Sequence, residues 1–139
     1  MEVSKPSSPK VTQVPVLQLG DILIVPVPEE LRDSDGVALE AELTATIYQT
    51  GAKGVLLDLT IVQTVDSFLG RLLTEIGEVC GLLGAQTVLV GIQPPIAVTL
   101  VELGLDLSGV QTAANTVRGM ALVRKLIAQE SLGDRHDGR

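Results

Sequence analysis

The strongest structural signal in the chain lies in residues 54–73, which read GVLLDLTIVQTVDSFLGRLL. The first half is an apolar run typical of a buried strand. The second half places Asp66 and Ser67 just before an amphipathic pattern with helical spacing that continues to residue 83. This order predicts a strand, a polar connection and a helix that starts at the Ser67 hydroxyl. An added phosphoryl group would meet free backbone N–H groups and the positive end of the helix dipole there.

The patterns on either side predict an alternating α/β domain. Five strands are expected at residues 15–19, 21–27, 54–59, 86–92 and 110–114, and four helices at 37–49, 67–83, 94–103 and 117–129. Gly20-Asp21 between the first two strands favours a type II′ hairpin, so those strands should be antiparallel. Because strands and helices alternate afterwards, the remaining strands should form a parallel sheet with right-handed crossovers.

The sequence pattern is ambiguous in two neighbouring segments. Residues 29–36 are charged and predict a turn, with Asp33 or Ser34 as the N-cap of the next helix. In residues 37–49 the apolar side chains alternate as in a strand, but they also repeat at helical spacing. The richness in Ala, Glu and Leu and the stop at Gly51 favour a helix. Residues 1–13 are expected to be a disordered leader, 14–127 one domain and 128–139 a flexible tail.

Composition excludes several classes of function. The 139 residues carry a formal net charge of −7 and only two aromatic side chains, which argues against binding of nucleic acids or of an anionic membrane surface. One cysteine, Cys80, rules out an internal disulfide and indicates a reducing compartment. With neither a signal peptide nor a membrane-spanning segment, the sequence predicts a cytoplasmic protein. A mean hydropathy of +0.39 is compatible with apolar surface that becomes buried in an assembly.

No set of residues in the sequence predicts catalysis, a cofactor or a metal site. His136 is the single histidine, so neither a Ser-His-Asp arrangement nor a histidine metal site is expected. Glu75 and Glu78 fall on the polar face of their helix, and Cys80 falls on the buried face. Glycine-rich nucleotide-binding motifs are absent from the sequence. The sequence therefore predicts a protein that is not an enzyme.

Four motifs resemble the STAS domain, which sulfate transporters share with anti-sigma factor antagonists. They are VDSF at 65–68, VGIQP at 90–94, AVTLVELG at 97–104 and, more loosely, LSGVQTA at 107–113. The pairing of Asp66 with Ser67 is found broadly in STAS antagonists. The second and third motifs are more particular to the small scaffold proteins of the bacterial stressosome. The resemblance covers residues 14–125 and implies a mostly parallel five-stranded sheet with an antiparallel N-terminal strand.

The resemblance also implies a function. In such scaffold proteins the serine after the aspartate accepts a phosphoryl group, so Ser67 is the expected acceptor. Thr99 matches a second modified position in the relatives that carry an N-terminal sensor domain, and is a weaker candidate. The unmodified scaffold holds a serine kinase of the switch type, and phosphorylation under stress releases it. The implied partners are that kinase, sensor-bearing STAS paralogues, a phosphatase and further copies of the chain, and the absence of a sensor domain favours the scaffold subunit.

The residues around Ser67 and Gln93 suggest where a partner would bind. Gln93 and Pro94 should lie at the carboxyl end of a parallel strand, beside the Ser67 junction, so Asp66, Ser67, Phe68, Gln93 and Pro94 are the predicted partner-binding residues. Plainer roles remain open: Ser67 as a helix N-cap, Asp66 as a turn residue, and Gln93 and Pro94 as a strand exit and helix start. Two other functions also remain open, an anti-sigma factor antagonist in a one-to-one complex with its kinase and a STAS module that binds a small molecule or lipid.

Overall fold

The computed structural model describes residues 14–107 and 109–137, with side chains up to residue 132, and contains one five-stranded sheet with four helices. The strands are β1 (Leu17–Leu19), β2 (Ile22–Pro26), β3 (Gly54–Asp58), β4 (Gln86–Val90) and β5 (Gln111–Ala113). The helices are α1 (Asp33–Thr50), α2 (Ser67–Leu82), α3 (Pro94–Glu102) and α4 (Thr116–Asp137). Every predicted element is present, and the strands are shorter at their ends than predicted. The leader predicted at residues 1–13 lies outside the described residues.

The sheet has the predicted topology. The strands lie side by side in chain order; β1 is antiparallel to β2, and the other three pairs are parallel. The register pairs Leu19 with Ile22 across a two-residue turn. Gly20 has a φ of 63°, the positive value that the first position of a type II′ turn requires. The hairpin and the parallel order are therefore confirmed.

The two faces of the sheet bury separate cores. Because side chains alternate along a strand, Val55 and Leu57 of β3 point to one face while Leu56 points to the other. The first face packs against α1, α2 and α3, as successive right-handed crossovers in one direction require. The second face is covered by α4, whose Val123 is fully buried against the sheet. The fold therefore presents α1 and α2 on one side and α4 on the opposite side.

Helix α1 begins earlier than the sequence indicated. It starts at Asp33, and Arg32 is its N-cap residue, without a side-chain capping bond, so the prediction of Asp33 or Ser34 as N-cap was wrong. Two acidic residues in the first turn, Asp33 and Asp35, favour this start because they face the positive end of the helix dipole. Gly36, the last residue of the predicted turn, is buried inside the helix. The choice of a helix over a strand for residues 37–49 is confirmed.

Helix α4 extends to Asp137, so the predicted end near residue 129 was wrong, and most of the predicted tail is helical. Charged and polar residues in this segment hid the continuation, since they break the apolar periodicity without breaking a helix. None of the helices in the described part of the chain is long and apolar enough to cross a membrane.

Candidate functional site

The candidate site lies at the carboxyl ends of β3 and β4, where side-chain hydrogen bonds order one loop and join it to the other. Asp58 is the last residue of β3, and its Oδ1 accepts hydrogen bonds from the backbone N–H (2.9 Å) and the hydroxyl (2.6 Å) of Thr60. From the neighbouring loop, Nε2 of Gln93 donates to the carbonyl oxygen of Thr60 at 2.6 Å. The loop that leads to Ser67 is therefore fixed to the loop that leads to α3. Gln93 lies beside the Ser67 loop, as its place after a parallel strand predicted.

Gly91 allows these two loops to approach closely. Its φ of 75° lies in the left-handed region that favours glycine. A Cβ at this position would lie 2.2 Å from Oγ1 of Thr60 and 3.0 Å from its backbone. Any side chain here would therefore collide with the loop and separate it from Gln93. Asp58 and Thr60 carry no signal in the sequence, and Gly91 is marked there only as part of the VGIQP motif, because only the sheet order brings β3 and β4 together.

Asp66, and not Ser67, caps helix α2. The backbone at Asp66 is extended, and its Oδ1 accepts a hydrogen bond from the N–H of Leu69 at 2.9 Å. Ser67 is the first helical residue and is exposed. The interpretation of Ser67 as an N-cap is therefore wrong, and so is that of Asp66 as a plain turn residue. Among the described residues the Ser67 hydroxyl has no hydrogen-bond partner, which leaves it free to react at the surface.

Replacing Asp66 with alanine is expected to destabilise the fold by about 1 kcal/mol, because it leaves a first-turn N–H of α2 without its side-chain acceptor. Asp66→Asn keeps an acceptor oxygen at the same position and should lose less than half of that. Urea denaturation of the two variants and the wild type measures the difference. Equal stability of the alanine variant and the wild type would show that the cap contributes nothing.

Phe68 connects the start of α2 to the first turn of α1. A Cβ on Gly36 would lie 2.8 Å from the Phe68 ring and 2.9 Å from Leu72, so the absence of a side chain at Gly36 makes room for both. Phe68 is consequently half-buried and packed against the larger core. Only part of its ring is available to a partner, and its role in partner binding stays a prediction.

A shallow groove runs beside Asp66, between the loop from β2 to α1 and the start of α2. It measures about 320 Å³, and its lining includes Leu31, Arg32, Val65 and Asp66. Nε of Arg32 lies 3.3 Å from Oδ2 of Asp35 in the first turn of α1. The surface next to Ser67 thus combines apolar side chains with charges of both signs.

The other two predicted site residues begin or lie within α3. Pro94 opens the helix, where its missing N–H leaves no hydrogen bond unmade. Thr99 is half-buried one turn later, and its hydroxyl donates to the carbonyl oxygen of Pro95 at 3.0 Å. This local bond is the usual state of a threonine inside a helix. The Thr99 hydroxyl is therefore already engaged, unlike that of Ser67, which fits its lower rank as an acceptor.

Two carboxylates that the sequence placed on separate helices lie together at the α1–α2 contact. Burial raises the pKa of Glu40 to about 7, and both a hydrogen bond with Glu75 and the charge of Glu75 act in the same direction. Burial also raises the pKa of the Cys80 thiol to about 11, which suits its role in packing. The described residues contain no group of three or more His, Cys, Asp or Glu side chains able to hold a metal ion.

The raised pKa of Glu40 predicts a pH-dependent loss of stability. Between its ordinary value of 4.5 and about 7 the folded protein holds a proton that the unfolded chain releases, so stability falls as the pH rises through this window. Because Glu40 is partly solvated, we expect a discounted loss of about 1 kcal/mol. Glu40→Gln should remove this part of the slope, and the exposed Glu78→Gln should not. Urea denaturation at pH 5 and pH 8 measures the change of the free energy of unfolding with pH in both variants. If Glu40→Gln lost as much stability between these two pH values as the wild type, the assignment would be contradicted.

Comparison with known proteins assigns the fold to a family. The STAS domain model matches residues 13–119. The solved structure of a serine-to-glutamate variant of RsbS from Moorella thermoacetica is 37% identical, with a TM-score of 0.74 over 83% of this chain and 97% of that one. A chain from a structure described as the molecular architecture of the stressosome, a signal integration and transduction hub, is 38% identical, with a TM-score of 0.72 over 81% of this chain and 97% of that chain.

A curated relative carries the same type of domain within a longer protein. The RsbT co-antagonist protein RsbRA of Bacillus subtilis is 28% identical over 123 residues, which are 87% of this chain but only 44% of that protein. The chain thus spans less than half of the length of this curated relative. The described architecture, the family match and the agreement with RsbS over nearly its whole length give one conclusion: the chain belongs to the STAS domain family and resembles the RsbS and RsbR proteins of the stressosome.

Proposed function

We propose that the chain is a phosphorylation-switched scaffold subunit of a stressosome-like complex, and that Ser67 is its phosphoacceptor. The observation that carries this proposal is the state of the Ser67 hydroxyl at the first position of α2, which is exposed and has no hydrogen-bond partner within residues 14–107 and 109–132. Asp66 already supplies the helix cap, so modification of Ser67 would not remove a bond on which the fold depends. In the unmodified state the subunit would hold a serine kinase of the switch type.

Phosphorylation at this position should change the surface and leave the fold intact. A phosphoserine carries about −1.5 to −2 charges at neutral pH, and the N-terminus of a helix stabilises such charge. A kinase packed against the site would have to desolvate this group next to the Asp66 carboxylate. We infer that modification releases the kinase by destroying a contact surface.

The relatives support this reading of the site. RsbRA, 28% identical, is described as an RsbT co-antagonist, and 44% of its length matches this chain. The RsbS relative has been solved as a serine-to-glutamate variant, a substitution that introduces a negative charge in place of a hydroxyl. With 37% identity over nearly all of that chain, RsbS is the better template for this sequence than the longer RsbRA protein. We therefore propose the scaffold role, with STAS paralogues as co-assembling partners.

Incubation with the cognate switch kinase, ATP and magnesium, followed by mapping of the modified residue by mass spectrometry, tests the acceptor assignment. We expect one phosphoryl group on Ser67, and none on a Ser67→Ala variant. Thr99→Ala is the matched control, because its hydroxyl is bonded within α3, and it should be labelled at the wild-type level. Labelling that persists in Ser67→Ala would move the acceptor elsewhere and overturn the proposal.

The size of the assembly separates the scaffold from an antagonist that binds its kinase one to one. Co-expression with sensor-bearing STAS paralogues and the kinase, followed by size-exclusion chromatography with light scattering, should give a particle of many subunits. The phosphorylated protein should remain in this particle while the kinase leaves it. A small heterodimer of this chain and the kinase, with no larger species, would instead favour the antagonist function.

A further inference from the structure

The charges of the protein are separated between the two sides of its sheet. On one side, α1 and α2 carry six acidic residues and one cation: Asp33, Asp35, Glu40, Glu42, Glu75 and Glu78 against Arg71. On the other side, the described side chains of α4 carry three cations and one acid: Arg118, Arg124 and Lys125 against Glu130. Because the two helix layers pack on opposite faces of the sheet, the molecule has an acidic side and a basic side.

The acidic side contains an open apolar groove between α1 and α2. It measures about 660 Å³ and is lined by Val37, Glu40, Ala41, Tyr48, Glu75 and Leu83, together with smaller side chains of α1. Tyr48 is 84% exposed and Val37 is 63% exposed, although both are large and partly or wholly apolar. Apolar surface of this kind, with a polar rim, marks an interaction site more often than free surface. We call this feature the α1–α2 groove.

The outer face of α4 has the chemistry that would fill this groove. Val117, which is 81% exposed, Ala121 and Ala128 repeat at intervals that place them along one side of the helix. Among the exposed cations, Arg118 and Lys125 lie to one side of this row and Arg124 lies within it. Small apolar side chains let a helix approach a shallow groove closely, and the long basic side chains can reach carboxylates at its floor and rim. The described residues thus supply both halves of a complementary pair.

We propose that the outer face of α4 from a second copy of this chain docks into the α1–α2 groove. The contact joins two different surfaces, so in a pair one copy keeps its α4 face and the other keeps its groove available for further copies. Such a head-to-tail contact generates a ring or an open row of subunits, as a scaffold requires. The contact lies on other residues than Ser67, and it forms without a kinase and without phosphorylation.

The Glu40–Glu75 carboxylate pair favours the binding of a cationic side chain in the α1–α2 groove. Glu40 is partly buried beside Glu75, and the two negative charges oppose each other when both are ionised. A guanidinium or ammonium group from α4 would neutralise this repulsion and satisfy the carboxylate oxygens. The apolar side chains around the pair would exclude water from that contact. Self-association should therefore weaken as the salt concentration rises, because rim charges steer the two surfaces together.

A reciprocal charge exchange tests the contact with the intact chain. In the first variant Glu40 and Glu75 are both changed to Lys, which makes the groove basic; in the second, Arg124 and Lys125 are both changed to Glu, which makes the α4 face acidic. Sedimentation velocity over a range of protein concentrations measures self-association. We expect the wild type to self-associate, each variant alone to do so at least about tenfold more weakly, and the equimolar mixture to recover most of the loss.

The mixing experiment also excludes misfolding as the cause of a lost association, because two misfolded variants would not associate when mixed. A double variant of residues on neither surface, Lys53→Glu with Asp21→Lys, exchanges two charges without changing the net charge; it serves as the control and should associate like the wild type. Two results would overturn the proposal: a wild type that stays monomeric at high concentration and low salt, or mixed variants that associate no better than each alone. Neither result bears on Ser67, whose labelling by the kinase is measured separately.

Discussion

The protein phosphorylated at Ser67 is expected to bind the switch kinase at least about 100-fold more weakly than the unmodified protein does, a loss of about 2.7 kcal/mol in binding free energy. The expected loss has two physical sources. A dianion must be stripped of water when a partner packs on it, and it lies beside the Asp66 carboxylate at the start of α2. Isothermal titration calorimetry with the kinase, before and after stoichiometric phosphorylation, measures the change.

Variants at the same position separate charge from size. Ser67→Ala should bind the kinase like the unmodified protein and should keep it bound after addition of ATP, because no acceptor hydroxyl remains. Ser67→Asp should fall between the two states, since a single carboxylate carries less charge and fewer acceptor oxygens than a phosphoryl group. Circular dichroism should be the same for all forms. A large loss of helix on phosphorylation, or equal affinity of the modified and unmodified protein, would refute release through a local surface change.

A Gly91→Ala substitution is expected to destabilise the protein by about 3 kcal/mol. Two costs add at this position: a side chain in the left-handed region at φ 75°, and a methyl group placed 2.2 Å from Oγ1 of Thr60 and 3.0 Å from the Thr60 backbone. In a domain of this size the loss corresponds to a drop of about 10 °C in melting temperature. Thermal unfolding followed by circular dichroism measures it.

The matched control is Gly81→Ala in the last turns of α2. Gly81 is exposed and helical, and a Cβ there would have nothing within 4 Å. Alanine should therefore leave the melting temperature unchanged or raise it, since it favours the helix over glycine by up to about 1 kcal/mol. Thr60→Ala in the Gly91→Ala background should recover only part of the loss, because the backbone contact remains. If both alanine variants behaved alike, the close approach of the two loops would not be the cause.

The Gly91→Ala substitution should also change the structure of the candidate site. Gln93 holds the Thr60 carbonyl, and the Thr60 loop leads directly to Asp66 and Ser67. Forcing the loops apart should break this bond and allow the start of α2 more motion. The rate of phosphorylation of Ser67 should change in the same variant at a temperature where it is still folded, whereas Gly81→Ala should be modified at the wild-type rate.

Much of the fold was readable from the sequence because its signals are local. Each strand is a short apolar run, Gly20 predicts the hairpin, and α2 carries a strongly amphipathic pattern between Asp66 and Gly84. The order of these elements then leaves few topologies, since parallel crossovers are right-handed. The same local reasoning placed Ser67 at a helix start. It left Ser67 open as the N-cap, although Asp66 is the cap, because serine and aspartate are equally good N-caps and one hydrogen bond distinguishes them.

What the sequence by itself determined was therefore the set of elements, their order and the residue that begins α2, because hydrophobic periodicity and turn chemistry act between residues close in the chain. Only the tertiary structure decided which residues meet across elements. Position 36 needs glycine because the Phe68 ring occupies the space of a side chain there, and Gly91 must be glycine because Thr60 lies against it. Glu40 meets Glu75, and the acidic and basic helices lie on opposite faces of the sheet. These contacts depend on the packing of strands and helices far apart in the chain, and no local pattern encodes such distances.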